Sequence, residues 1–183
     1  MVLYVPQLMI LYMTEEYDLL CEEGQKIETL MQKQADSIFS HVFYFFCALG
    51  LVEMYPHASK TERKKLKACL RMLKKLAKRS PKNAHLSYLL ISAELLRLQG
   101  NNGKAFKRYR QAVEALDEQS GHLAAVVYER KGHFEWQLGL KHMARITLNE
   151  AYKQYHQWGI EAKKAALLDR YGSLLTYGLN ING

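Results

Sequence analysis

The chain has 183 residues, 49% hydrophobic and 24% charged, with a formal net charge of +8, which is ordinary for a soluble folded protein and suits one compact domain or a short array of helical repeats. Its three cysteines, Cys21, Cys47 and Cys69, are odd in number and form no CxxC pair, which argues against a disulfide framework and for buried free thiols in a reducing cytosol. No apolar run reaches the roughly 20 residues that a bilayer-crossing helix needs, so the chain is expected to be cytoplasmic.

Helical signals dominate. Apolar positions recur at three and four, no segment alternates with a period of two, and only three prolines interrupt the chain. The pattern predicts an all-α fold of about nine helices. The first, 2–13, opens on "MVLYVPQLMILYM", which lacks the preceding basic residue and small-residue cleavage site of a signal peptide. It reads as a core helix, or as a face buried against a second copy. The second helix spans 15–33. The third, 35–55, contains the apolar run Val42 to Val52, again a core helix. Ser37, Ser40 and His41 are neighbours there but lack the strand-to-helix elbow of a hydrolase.

The fourth predicted helix, 60–79, carries the main charge anomaly. Residues 60–82 hold 11 Lys/Arg and a single acid, Glu62, whereas residues 1–59 hold 2 basic and 8 acidic groups. At 100° per residue Lys60, Arg63, Lys64, Lys67, Arg71, Lys74, Lys75 and Lys78 fall within about a 120° arc. Leu66, Cys69, Leu70, Leu73, Leu76 and Ala77 occupy the other side. One face should pack while the other presents a cationic stripe. Three readings of the stripe remain: a solvated face, docking to an acidic protein surface, or contact with nucleic acid or anionic lipid. The aromatic residues that single-strand stacking would want are missing from this helix.

Ser80-Pro81 stops that helix. Five more are predicted at 83–98, 103–119, 121–138, 141–156 and 160–177, separated by Gly100 to Gly103, Ser120-Gly121, Gly139 and Trp158-Gly159. Connections this short force consecutive helices into antiparallel hairpins. "GNNGKA" is not a phosphate loop. Only two residues separate Gly100 from Gly103, Ala105 stands where a Walker A loop has Ser or Thr, and a helix precedes it where a strand is required.

An internal repeat follows from the same stretch. "LQGNNGKAFKRYRQAVEAL" and "QLGLKHMARITLNEAYKQY" superimpose at a step of 39 residues, pairing Gly100 with Gly139, Ala105 with Ala144, Tyr109 with Leu148 and Ala112 with Ala151. Ala93 and Gly132 take matching small positions upstream, where a partner helix should cross. Small residues at the crossing with large ones around it make these hairpins resemble tetratricopeptide repeats. Together with "FYFFCALGLVEMYPHASKTERKKL" and the turn Tyr155…Trp158-Gly159…Ala162-Lys163, the chain is similar to the helical region of large bacterial signalling proteins. Those proteins join a serine/threonine kinase-like domain, a STAND-type ATPase, a helical region, a GAF domain and often a histidine kinase. The resemblance implies a superhelical array that binds protein or peptide partners or relays state between flanking domains. This sequence carries no kinase, ATPase, GAF or histidine kinase motif, so none of those activities is implied for it.

The expected organisation is one repeat domain over 1–183, with divergent hairpins in 1–82, repeats at 83–120 and 121–158, and a terminal helix at 159–178. In such arrays the first helix of each hairpin lines a groove. That selects Glu94, Arg97, Glu129, His133 and Trp136 as a partner-binding groove. Two alternatives stand beside it: an i,i+3 surface ion pair for Glu94 and Arg97, and inter-repeat packing for Trp136. Seven scattered histidines, with no HExxH motif or Cys/His cluster, suggest no metal site. No catalytic residue and no cofactor are expected, and the chain reads as a non-catalytic protein-interaction or sensor module. A nucleic-acid-binding helical array using the Lys60–Lys82 stripe is the alternative.

Overall fold

The computed structural model describes residues 4–33, 39–118 and 120–175. Among them are nine α-helices, one short 3-10 turn and no strand: α1 (Tyr4–Met13), α2 (Tyr17–Lys33), α3 (Ser40–Glu53), α4 (Lys60–Arg79), α5 (Pro81–Leu98), α6 (Asn102–Glu114), α7 (His122–Gln137), α8 (Lys141–Gln157) and α9 (Glu161–Tyr171). The all-α expectation and the order of its helices are met. The predicted residues 2–3, 35–38, 119 and 176–177 of the first, third, sixth and last helices lie outside the described residues.

Helix ends differ where a side chain or a proline decides them. The sixth helix stops at Glu114 rather than running on through 115–118, because Asp117 and Ser120 form a local turn. The Asp117 backbone N–H donates to Ser120 Oγ at 2.9 Å, and the Ser120 hydroxyl donates to Asp117 Oδ1 at 2.8 Å. Such bonds offer the backbone an alternative to the helix. The fifth helix begins at Pro81, two residues earlier than expected, since a proline suits the first helical position, where no intrahelical donor is required.

The chain divides into two compact units, Met1–Arg108 and Tyr109–Gly183. In the first, α3 is the post on which the others lean. It packs against α1, α2, α4 and α5, and ten of its residues, from Ser40 to Val52, are buried. A helix that is apolar all round has to be enclosed in this way, which is where the run Val42 to Val52 goes. The apolar residues Leu8, Leu11, Tyr12 and Met13 of α1 are buried, and α1 packs on α2 and α3, so that side is taken up within the unit. No helix among the described residues is long and apolar enough to cross a membrane.

In the second unit α7 and α8 form a hairpin, and α9 packs on α8. Gly132 marks the crossing: a Cβ added there would lie 2.6 Å from Leu148 Cγ and 3.3 Å from the Leu148 backbone nitrogen. Ala93, Ala105, Ala112, Ala144 and Ala151, the other small positions of the repeat, are fully buried, as are Tyr109 and Leu148.

Three turns share one backbone pattern. Gly100, Gly139 and Gly159 take φ of 72°, 75° and 66°. Each donates its N–H three residues back, to Arg97, Trp136 and His156, while the next residue donates five back, to Leu96, Glu135 and Tyr155. This is the Schellman ending, which needs a left-handed residue after the helix cap. The α1–α2 turn repeats the pattern without a glycine. Glu15 at φ 62° donates to the Tyr12 carbonyl and Glu16 to that of Leu11.

Two stability predictions follow from these positions. Left-handed backbone costs a non-glycine residue roughly 1–2 kcal/mol, and glycine's extra unfolded-state freedom offsets about 0.4–1 of it. Glu15→Gly is therefore expected to stabilise the protein by about 0.5–1 kcal/mol in urea denaturation, and an unchanged or lower midpoint would contradict this account of the turn. Gly132→Ala should act in the opposite sense. Helix propensity gains about 1 kcal/mol, but overpacking against Leu148 costs about 1–3. The midpoint should fall, and adding Leu148→Ala should give a smaller loss than the two single losses summed.

Candidate functional site

The cationic stripe is built on α4, which a capping box opens. Ser59 precedes it: the Glu62 backbone N–H donates to Ser59 Oγ at 3.2 Å, and the Ser59 N–H donates to Glu62 Oε2 at 2.7 Å. This reciprocal box satisfies two otherwise orphaned donors. Ser59's hydrogen bonds, side chain first and backbone second, also hold the Glu62 carboxyl below its ordinary range. Leu66, Cys69, Leu73, Leu76 and Ala77 are buried, and the helix packs on α3 and α5.

All eight stripe residues, Lys60, Arg63, Lys64, Lys67, Arg71, Lys74, Lys75 and Lys78, are exposed. Among the described residues no carboxylate lies within ion-pair distance of any of them. Lys65, which points off the stripe, pairs with Glu28 of α2 at 3.6 Å. The Arg63 guanidinium lies 4.8 Å from the Tyr55 ring centroid, and its Nε donates to the Ala58 carbonyl at 3.1 Å. Twenty residues of helix extend the charge over about 30 Å. Like charges at i,i+4, such as Lys67 with Arg71 and Lys74 with Lys78, repel by roughly 0.2–0.5 kcal/mol per pair. The face is thus mildly unfavourable alone and is relieved by an anionic surface.

The five groove candidates have a different fate. Glu94 and Arg97 lie in the first unit; Glu129, His133 and Trp136 lie in the second. Glu94 is fully buried and Arg97 nearly so, with Arg97 Nε donating to Glu94 Oε2 at 2.9 Å. The ion pair anticipated from the spacing exists, but in the interior rather than at the surface. Glu129 is also interior. The Tyr155 hydroxyl donates to its Oε2 at 2.5 Å, and the fully buried Lys163 donates to its Oε1 at 3.0 Å. Neither carboxylate lines an open groove, because each is held by partners within its own unit.

His133 bonds through Nδ1 to the Tyr171 hydroxyl. Trp136 is half-buried, edge-on to Tyr171 with centroids 6.2 Å apart, and Lys141 Nζ lies 5.9 Å from its ring centroid. It packs within the second unit. Trp158, in the turn before α9, is 54% exposed and meets His122 edge-on at 6.2 Å.

Burial alone would raise the Glu129 carboxyl, but the Lys163 ammonium, the Tyr155 hydroxyl and the Arg130 guanidinium outweigh it and hold the group below the usual carboxylate range. A second interior carboxylate, Glu135, is fully buried and pairs with Lys131, which also donates to Thr147 Oγ1 at 3.1 Å. Sequence reasoning missed the joining of Glu129, Tyr155 and Lys163. Tyr155 and Lys163 stand eight residues apart across the Gly159 turn, and a lysine on the inner side of α9 was the available signal.

Among the described residues, no group of three or more His, Cys, Asp or Glu side chains is placed to hold a metal ion. Lys104, beside the glycine turn, is exposed, and α5 rather than a strand precedes it.

Removing one partner of a buried pair costs about 3–5 kcal/mol, whereas replacing both by apolar groups costs far less. Glu129→Gln is expected to destabilise the fold by that amount, and Glu129→Gln with Lys163→Met should recover most of the loss. The pH dependence has a definite sign. A carboxyl held below its unfolded value contributes fully above about pH 5 and loses that contribution as pH falls through its folded value. Urea unfolding at neutral and acidic pH should show a steeper acid loss for the natural chain than for the double variant; equal losses would remove Glu129 as the acid-sensitive group. Set against known proteins, the chain matches no family model, no curated protein and no solved structure.

Proposed function

We propose that this chain is a non-catalytic interaction module that docks an acidic protein surface through the exposed face of α4. The observation that carries this reading is the stripe itself: eight exposed cations over one helix face, with no carboxylate within ion-pair distance among the described residues. Complementary potential across an interface mainly sets encounter rate and partner choice, and a mutually repelling row gains most from an acidic partner.

The helical hairpins, the 39-residue recurrence and the buried small positions support a tetratricopeptide-like organisation. The resemblance to the helical region of bacterial signalling ATPase/kinase proteins supports a signalling domain as the partner. His133 and Trp136, half-buried on α7, remain the groove positions from which a peptide contact could be made; Glu94 and Glu129 do not.

Nucleic acid is the second reading, favoured by the same unpaired cations. Both readings weaken as salt rises, duplex binding by a power of salt concentration set by the number of phosphate contacts, so the probe that is preferred at the higher salt decides between them. Binding of fluorescent poly-glutamate and of a 20-base-pair DNA duplex, compared at about 50 and 150 mM salt, separates the two. Poly-glutamate binding is expected at both concentrations, with a loss of at least tenfold in the variant Lys67→Glu/Arg71→Glu/Lys74→Glu. Tighter binding of the duplex at 150 mM would favour nucleic acid. Equal binding by the natural chain and the variant would remove the stripe as the docking face.

A further inference from the structure

The first unit contains a half-open cavity of about 260 Å³ between α2, α3 and α4, and all three cysteines of the chain line it. Its presence follows from side-chain size. Three helices meet at Cys21, Cys47 and Cys69, where thiols fill less space than leucines would. Gly24 and Gly50 add to this: a Cβ at Gly24 would lie 2.7 Å from Cys47 Sγ, and one at Gly50 would lie 2.9 Å from Leu20 and 3.3 Å from Cys21 Sγ. The α2–α3 crossing is therefore tight beside the cavity, and Glu62, Lys65 and Cys69 of α4 line it as well.

Much of the wall is apolar. Phe43, Leu51 and Met54 join the thiols, with Tyr44 and Gln25 as neutral polar members. Burial first, and the nearby carboxylates second, push Cys21 up to about 11; burial and Glu28 push Cys69 up to about 12, and Cys47 is raised well above its ordinary value. All three are protonated at neutral pH, so they act as small apolar groups rather than as nucleophiles.

The mouth is acidic. Asp18, Glu22, Glu28 and Glu62 line the cavity against one cation, Lys65. Glu28 is engaged by Lys65 and Glu62 by Ser59. Asp18 and Glu22 are exposed and have no ion-pair partner among the described residues. A negative rim on an apolar pocket is notable in a chain of net charge +8, since the protein as a whole attracts anions.

We propose that this cavity is a binding site for a compact amphipathic cation. The apolar body, one ring or a short chain, lies against the thiols and Phe43, and the ammonium sits at the Asp18–Glu22 rim. The volume lies just below the usual range of ligand pockets, about 300–1,000 Å³, which sets the limit on the body, and the carboxylates set the charge. This site is independent of the α4 stripe: Cys69 and Lys65 lie off the exposed cationic face.

Three probes of similar shape test it on the full chain: 2-phenylethylamine, 2-phenylethanol and 3-phenylpropionate, followed by amide chemical shifts. The amine is expected to saturate, shifting resonances in α2, α3 and α4. The alcohol should bind at least fivefold more weakly, and the carboxylate weaker still. Asp18→Asn/Glu22→Gln, both at exposed positions, should lower amine affinity at least fivefold and leave alcohol binding unchanged. Cys69→Leu, which fills the cavity, should abolish binding of both. A carboxylate that binds as well as the amine, an amine indifferent to the Asp18/Glu22 variant, or no binding by any probe would each overturn the proposal.

Discussion

Helices in this chain come together closely at points where one partner has no side chain. Gly132 lets Leu148 sit where a Cβ would be, Gly24 does the same for Cys47, and Gly50 for Leu20. Interiors pack as densely as organic crystals, so a single methyl group at such a crossing must displace something. Other features depend on this approach. The α7–α8 hairpin brings Glu129 and Tyr155 into hydrogen-bond range, and α9, packed on α8, delivers Lys163 to the same carboxylate. In the first unit the tight α2–α3 crossing defines one side of the cysteine-lined cavity.

The helices were legible because their punctuation is local. Pro81, Gly100, Gly139 and Gly159 mark boundaries whose causes lie within a few residues, and the structure places a helix end at each. Boundaries slipped where a side chain competes with the backbone, as at Asp117 and Ser120, or where a left-handed residue is not glycine, as at Glu15. The α4 stripe could also be read from the sequence, since eight cations and their apolar counterparts belong to one helix. The surroundings of Glu94 and Glu129 could not. Their spacing shows which helix face they share, but burial of a carboxylate depends on what else arrives there. For Glu129 that group is a lysine 34 residues away. The convergence of Cys21, Cys47 and Cys69 was hidden for the same reason, as each sits on a different helix.

α4 and α3 divide the work of the first unit. α3 has hardly any polar surface and is enclosed by its neighbours, which makes it structural along its whole length. α4 serves two environments at once. Its inner residues close the unit and border the cavity through Cys69, while its outer residues present unpaired charge to whatever approaches. Charge is segregated to match: Asp18, Glu22 and Glu28 of α2 line the cavity, while the eight stripe cations of α4, unlike Lys65, do not. A molecule or surface meeting this unit therefore encounters opposite potentials on two sides of one helix.

The glycines at the three repeated turns differ in kind from those at the crossings. Nothing lies within 4 Å of the position a Cβ would take at Gly100, Gly139 or Gly159, so room is not what selects glycine there. The selection is by handedness: at φ between 66° and 75° the chain asks for the mirror image of an ordinary residue, and glycine is the one achiral residue the genetic code supplies. A D-alanine placed at these turns by chemical synthesis would adopt the required backbone by preference, whereas at Gly132 it is the packed Leu148, and not the sign of φ, that keeps out an ordinary side chain.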